Sequence, residues 1–136
     1  MANSLKIVFD VNIWVSALIS QNISQQIQAI ILQDNVEIIA SQQLLLELQQ
    51  TLQKPKLQKY ISPERADFAI ELVKQSATLI HSNSTVKFCR DDKDDYLLAL
   101  AKDAKADFLI TGDKDLLILK TFAKTQIIML SELKLC

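Results

Sequence analysis

Short apolar runs rich in β-branched residues alternate along this chain with stretches of helical hydrophobic periodicity, and this alternation constrains the fold more than any other feature. Strands separated by helices pair in parallel, because a parallel connection needs a crossover that is long enough to hold a helix. The sequence therefore predicts an α/β sandwich in a single domain over residues 1–136, with no linker or internal repeat. The predicted strands cover residues 6–9, 36–40, 78–80, 108–110 and 127–129.

Helices are predicted between these strands from apolar spacing and from start signals. Ser41 is a good N-cap for the segment that ends before Pro55, and Ser62-Pro63-Glu64 combines a cap, a proline and a first-turn acid. The predicted helices run over 23–33, 42–54, 63 to about 75, and from Asp94 or Asp95 to 104, and Asn83-Ser84 is predicted to be a loop.

Composition excludes several classes of site. The single glycine, Gly112, is too few for a P-loop or a GxGxxG dinucleotide turn, and it does not stand in an EF-hand loop. The single histidine, His81, excludes every multi-histidine metal site, and two cysteines that lie far apart exclude a CxxC pair. A metal in this chain would therefore have carboxylate ligands, which favour Mg²⁺ or Mn²⁺.

The overall charge and hydropathy limit the partners. A formal net charge of −1 and a pI of about 5.8 offer no global attraction for nucleic acid, so any polyanion must be held locally. The sequence has no signal-peptide pattern and no apolar run of transmembrane length, and it lacks a disulfide framework. We therefore expect a reducing, cytoplasmic compartment and no membrane association.

Acidic residues stand where predicted strands end. Asp10 closes the run KIVFD and Asp113 follows FLITG. Because ligands of open parallel sheets bind beyond the carboxyl ends of the strands, these two acids are expected to converge on one edge. Asp also commonly caps a following helix or turn, and this alternative stays open for each residue alone.

Two further acids belong to predicted helices. Glu47 interrupts an apolar stretch and borders the face that packs on the sheet, unless it lies at the edge of that face and reaches water. Asp95 belongs to an acidic run before a helix, where a solvated acid cluster is the common interpretation. Together with Asp10 and Asp113 they could form one anionic pocket, and such crowding is tolerated when divalent cations neutralise it.

Four segments resemble the PIN-domain nucleases, in the branch assigned to the toxins of toxin–antitoxin systems. The resemblance covers nearly the whole chain and rests on the order and spacing of the segments. They read DVNIWVSA (10–17), LLEL (45–48), DDYLLALA (94–101) and ADFLITGDKDLL (106–117), with LQKPKL (52–57) and the terminal 127–133 also similar.

The resemblance implies a three-layer α/β/α sandwich on a five-stranded parallel sheet and Mg²⁺- or Mn²⁺-dependent cleavage of RNA, in which metal-activated water hydrolyses the phosphodiester. It also implies a small antitoxin protein as partner, and a homodimer, because family members often dimerise. The implied catalytic and metal-binding residues are Asp10, Glu47, Asp95 rather than Asp94, and Asp113, with Asp115 as an auxiliary acid and Asn12, Ser16 and Thr111 as supporting polar residues.

Candidate RNA contacts come from a short basic stretch and from aromatic side chains. Most lysine-rich surface segments only solvate the protein, and a core position is the commoner role for Trp14 and Phe122. Ser16 and His81 lack the GxSxG context of a serine hydrolase. The basic candidates are Lys54, Lys56 and Lys59, joined by Arg65, Lys114 and Lys120.

Two other functions compete with the nuclease. A catalytically idle PIN-like module would bind metal and act only through protein contacts. A phosphoacceptor receiver domain is also α/β with acids at strand ends, but it needs an acceptor Asp at the end of a central strand and a Lys at the end of a late one. The second predicted strand ends at Ala40 and the third leads to Ser82, which argues against a receiver.

Overall fold

A computed structural model of the protein describes residues 4–82 and 94–133. In this part of the chain strands and helices alternate as predicted. The strands are β1 (Leu5–Phe9), β2 (Val36–Ala40), β3 (Ala77–Leu79), β4 (Phe108–Ile110), β5 (Thr121–Phe122) and β6 (Thr125–Ile128). The helices are α1 (Val11–Ile19), α2 (Gln21–Ile31), α3 (Gln42–Leu52), α4 (Pro55–Gln58), α5 (Pro63–Ser76), α6 (Asp95–Ala104) and α7 (Lys114–Leu117), and a 3₁₀ turn covers Leu130–Glu132.

The sheet has the order β3-β2-β1-β4-β6-β5. All five predicted strands are present and pair in parallel, which confirms the α/β class. The predicted number of strands is wrong, because a sixth strand, β5, pairs antiparallel with β6. This strand has two residues, and Ala123 turns the chain with a φ of 53°. The hairpin therefore lacks the Asn-Gly or Asp-Gly signal by which such turns are found in sequences.

Strand β1 lies at the centre of the sheet and is covered on both faces. Successive side chains of a strand point to opposite faces, and Ile7, Val8 and Phe9 are all fully buried. Helix α6 contacts β1, whereas α1 packs against α2 and α3, and α3 packs against α5. The sheet is thus flanked by helices, as the resemblance implies.

The sequence prediction lacks the short helices α4 and α7 and also the longer helix α1. The residues of α1 are apolar on most sides, so they show no clear amphipathic stripe, and Asp10 makes no side-chain hydrogen bond to cap this helix. The predicted caps of α3 and α5 are confirmed. Ser41 accepts a hydrogen bond from the amide of Leu44, and Ser62 accepts one from the amide of Arg65. The predicted loop at Asn83-Ser84 lies outside the described residues. Within residues 4–82 and 94–133, no helix is long and apolar enough to cross a membrane.

The strand order reverses between β1 and β4. From β1 the chain proceeds through β2 to β3 on one side, and it then returns to place β4 on the other side of β1. At such a reversal the connections leave the sheet in opposite directions and open a crevice at the carboxyl ends of the two strands. Asp10 and Thr111 directly follow β1 and β4, so they lie at this crevice.

Candidate active site

Asp10 directly follows β1 at the point where the strand order reverses, and it is only 4% exposed. Its amide donates to the carbonyl of Ile110 (2.9 Å), which ties the end of β1 to the end of β4. Burial raises the pKa of the Asp10 carboxyl, and the negative charge of Asp113 raises it further. The hydrogen bond from Thr111 and the backbone amides of Asn12 and Val11 act in the opposite direction.

Thr111 connects the two acids at the ends of β1 and β4. Its buried hydroxyl donates to Oδ2 of Asp10 (2.6 Å) and accepts from the amide of Asp113 (3.0 Å). Oδ1 of Asp113 in turn accepts from the amide of Asp115 (2.8 Å), at the start of α7. Asp113 is therefore a helix cap, the alternative that the sequence left open, and its charge also reaches Asp10.

Glu47 lies on α3 at the edge of the apolar face. It is half-buried, whereas Leu44 and Leu48 beside it are fully buried. The side-chain amide of Gln43, one turn earlier, donates to Oε1 of Glu47 (2.9 Å). This contact orients the carboxylate without neutralising its charge, so Glu47 remains able to act as an anionic ligand.

Tyr96 is the residue that the sequence analysis missed. It lies in the first turn of α6, and burial raises the pKa of its hydroxyl well above the usual range. The negative charges of Asp10, Glu47 and Asp94, in decreasing order, raise this pKa further. The phenol thus stays protonated and lies within electrostatic reach of acids from three elements. Its position directly after the acid pair of DDYLL is the signal that could have identified it.

Asp94 and Asp95, at the start of α6, lie in different environments. Asp95 is 7% exposed, in the first turn of the helix, whereas Asp94 precedes the helix and is half-buried. Each of them makes polar interactions of its own. The charge of Asp94 acts on Tyr96, and the burial of Asp95 beside fully buried Leu97 and Leu98 is unusual for a carboxylate.

The donor atoms around this crevice are carboxylate and hydroxyl oxygens, which is the ligand chemistry of Mg²⁺ and Mn²⁺. Among residues 4–82 and 94–133, no three His, Cys, Asp or Glu side chains are grouped closely enough to hold a metal ion as they stand. The carboxylates of Asp10, Glu47 and Asp113 instead accept hydrogen bonds from the protein. Metal binding by three or more of them would thus require these side chains to rearrange.

The predicted supporting residues take different positions. Thr111 contacts Asp10 directly, whereas Asn12 is exposed and acts on Asp10 through its backbone amide. Ser16 is half-buried in α1, and its hydroxyl makes no hydrogen bond within the described parts of the chain. Trp14 is 7% exposed and packs edge-on against Phe9, with ring centroids 5.1 Å apart, which is a core position.

The basic candidates are exposed. Lys54 and Lys59 flank the short helix α4, and Lys56 lies within it. Arg65 instead donates to the carbonyls of Leu18 (3.0 Å) and Tyr60 (3.3 Å), so its guanidinium connects neighbouring segments. Lys114 and Lys120 are exposed at the two ends of the α7 region, and Phe122 is half-buried in β5.

Comparisons with known proteins find similar sequences and a similar fold. The family model of the PIN domain matches residues 6–115. The uncharacterized protein MJ1680 of Methanocaldococcus jannaschii is 34% identical over 118 residues, which cover 85% of this chain and 76% of that protein. A crystal structure of VapBC2 from Rickettsia felis, bound to a DNA fragment from their promoter, has a chain that superposes with a TM-score of 0.64 at 15% identity. The match covers 90% of this chain and 97% of that one, and it shows a common fold.

Proposed function

This chain belongs to the PIN-domain family, whose members are in general nucleases, and from this premise we propose that it is a metal-dependent endoribonuclease and the toxin of a toxin–antitoxin pair. The observation that carries the proposal is the hydrogen-bonded series from Asp10 through Thr111 to Asp113 at the reversal point of the sheet. A buried acid next to a second acid is costly to ionise, and a divalent cation removes that cost.

We assign Asp10, Glu47, Asp95 and Asp113 as the metal ligands, with Asp115 as an auxiliary acid. The metal that we propose is Mg²⁺ or Mn²⁺. A bound Mg²⁺ or Mn²⁺ would supply positive charge and Lewis acidity at these carboxylates, which is the chemistry that metal-assisted hydrolysis of a phosphodiester needs. The support for this ligand set is the carboxylate chemistry of the crevice and the electrostatic contact of Asp10 and Glu47 with Tyr96.

The chain's own residues would perform three tasks. Thr111 donates to Oδ2 of Asp10, and Gln43 donates to Oε1 of Glu47, so a hydrogen bond restrains one oxygen of each carboxylate in the metal-free protein. Tyr96 remains a protonated phenol, which makes its hydroxyl a hydrogen-bond donor at neutral pH. A neutral donor beside the acids is suited to contact an oxygen of the scissile phosphate.

The anionic crevice requires cations elsewhere to hold an RNA backbone. The exposed lysines around α4 (Lys54, Lys56 and Lys59) are the local basic group that we assign to this contact. Because such contacts are electrostatic, RNA binding should weaken as the salt concentration rises. Neutralising all three lysines should lower RNA affinity more than it lowers the rate of cleavage at saturating RNA.

An apolar groove is the candidate contact surface for the proposed antitoxin. A groove of about 330 Å³ among α1, α2, α3 and α5 is lined mainly by apolar side chains. Leu32 and Leu72 at this groove are 79% and 45% exposed, respectively. An apolar helix of a small partner protein would cover these side chains, and a second copy of the chain is the other occupant that the resemblance implies.

The decisive experiment measures cleavage of single-stranded RNA by protein purified free of host ribonucleases. Mg²⁺ or Mn²⁺ should support endonucleolytic cleavage, EDTA should abolish it, and Asp10→Asn should reduce it by at least about 100-fold, since a metal ligand contributes several kcal/mol. A parent protein that binds Mn²⁺ yet leaves RNA intact would favour the idle interaction module. Cleavage at an unchanged rate by Asp10→Asn would refute the assigned site.

A further inference from the structure

A second cavity lies beside the acids and is not used by the proposed chemistry. It has a volume of about 490 Å³ and opens at the carboxyl ends of β2 and β3, between the start of α3 and the first turn of α6. We call it the side groove. This volume lies in the range of sites for small organic groups, about 300–1,000 Å³. Its lining includes Gln42, Gln43, Leu79, His81, Tyr96 and Ala99.

The described lining of the side groove combines apolar side chains with hydrogen-bonding ones. Among the described residues that line it there is no Asp, Glu, Lys or Arg, whereas two carboxamides and an imidazole supply both donors and acceptors. This described lining thus offers no lysine or arginine to a phosphate and no carboxylate to a cation. The lining therefore fits a neutral, flat, hydrogen-bonding group, which in a nucleic acid is the base.

The side groove adjoins the acids through two shared residues. Tyr96 lines the groove and directly follows Asp95 in the first turn of α6. Gln43 also lines the groove, and its amide is bonded to Oε1 of Glu47. A strand whose phosphodiester lies at the acids would consequently bring a neighbouring base to the groove.

Gln42 is placed where its carboxamide could recognise a base. It is the first residue of α3, it is exposed, and within residues 4–82 and 94–133 its carboxamide takes part in no hydrogen bond. Glutamine carboxamides recognise base edges with paired donor and acceptor contacts, and unpaired bases commonly stack on aromatic side chains. Gln43, in contrast, is engaged by Glu47 and is available only as a support.

We propose that the side groove binds one unpaired base next to the scissile phosphodiester and that Gln42 determines which base is accepted. This inference rests on the proposed nuclease function, and it adds a substrate requirement, since a base in a duplex could not enter. Stable duplexes should therefore be cut more slowly than single strands of the same sequence.

The test uses a pool of single-stranded RNA with random sequence, in which sequencing of the cleaved ends gives the base preference at each position around the cut. The parent should prefer one base at a single flanking position, and Gln42→Ala should reduce that preference by about tenfold. The loss should appear in kcat/KM for the preferred base and not for the others. The matched control is Gln50→Ala, an exposed glutamine of the same helix that does not line the groove.

A binding measurement separates this inference from the nuclease proposal. Fluorescence anisotropy of short RNA in EDTA, with each of the four bases at a central position, reads base selectivity without cleavage. Selective binding that Gln42→Ala abolishes, with Gln50→Ala unchanged, supports the side groove even if the parent cuts no RNA. Binding or cleavage preferences that are identical in the parent and Gln42→Ala, at equal melting temperature, would overturn it.

Discussion

Thr111→Val tests the central hydrogen-bond series most directly, because valine keeps the shape of threonine and removes only its hydroxyl. The Asp10 carboxylate then loses a charge-assisted bond, which is typically about 1.5–3 kcal/mol, and the amide of Asp113 loses its acceptor. Thr111 is completely buried, so no water replaces the hydroxyl at that position. We expect Thr111→Val to lower the free energy of unfolding by about 2–4 kcal/mol at pH 8 in metal-free buffer.

The control is Thr111→Ser, which keeps the hydroxyl and loses one buried methyl group. Its expected cost is about 1 kcal/mol at any pH. The loss in free energy of unfolding should therefore depend on pH in Thr111→Val but not in Thr111→Ser, in addition to being larger in Thr111→Val. Since the Thr111 hydrogen bond lowers the pKa of Asp10, its removal raises that pKa further above the ordinary value of 3.8.

The sign of this dependence follows from linkage. An acid whose pKa is raised in the folded state binds more protons there than in the unfolded chain, so stability falls as pH rises from about 3.8 through the raised pKa. In Thr111→Val this fall should extend to higher pH. The difference between the two variants, measured by urea unfolding, should increase from pH 4 to pH 8 and reach about 1–3 kcal/mol at pH 8. Equal losses in both variants, or a difference independent of pH, would refute the reasoning.

The remaining predictions concern the acids and the glycine. Asp10→Asn removes a buried charge while its amide oxygen can still accept from Thr111, so in metal-free buffer at pH 8 its melting temperature should exceed that of the parent, and the gain should vanish near pH 4. Asp95→Asn should reduce cleavage by at least about 100-fold and Asp94→Asn by less than about tenfold, since only the first carboxylate is buried; a kinetic comparison with equal effects would contradict this. Gly112→Ala should keep full activity and gain about 0.4–1 kcal/mol in urea unfolding, because a Cβ there meets no atom within 4 Å and the residue does not have a positive φ.

The sequence predicts most of this fold because its signals are local. Caps at Ser41 and Ser62 and short β-branched runs each specify an element without reference to the rest of the chain. Helix α1 and strand β5 escape prediction for opposite reasons. The first is apolar around most of its surface, and the second has two residues and a turn at Ala123 without glycine.

The candidate site is less accessible to sequence reasoning, because its contacts join distant segments. The bond between Thr111 and Asp10 spans 101 residues, and only the strand order places β4 beside β1. Acids at strand ends indicate the edge of the sheet but not which side chains meet there. Tyr96 carries no charge at neutral pH, so a search for acidic motifs passes over it even though the charges of three acids raise the pKa of its hydroxyl.

The charge of Asp10 links the folding stability of the metal-free protein to the proposed binding of a metal. Burial and Asp113 both oppose the ionised form of Asp10, so in the metal-free protein this carboxyl reduces folding stability at neutral pH. A cation that binds only the folded state reverses this effect, and the stabilisation increases with its concentration relative to Kd. Because the same charge repulsion that destabilises the empty crevice is relieved by the cation, Asp10→Asn should show the smaller rise in melting temperature when Mn²⁺ is added. A rise equal to that of the parent in the same titration would show that Asp10 does not contribute to metal binding.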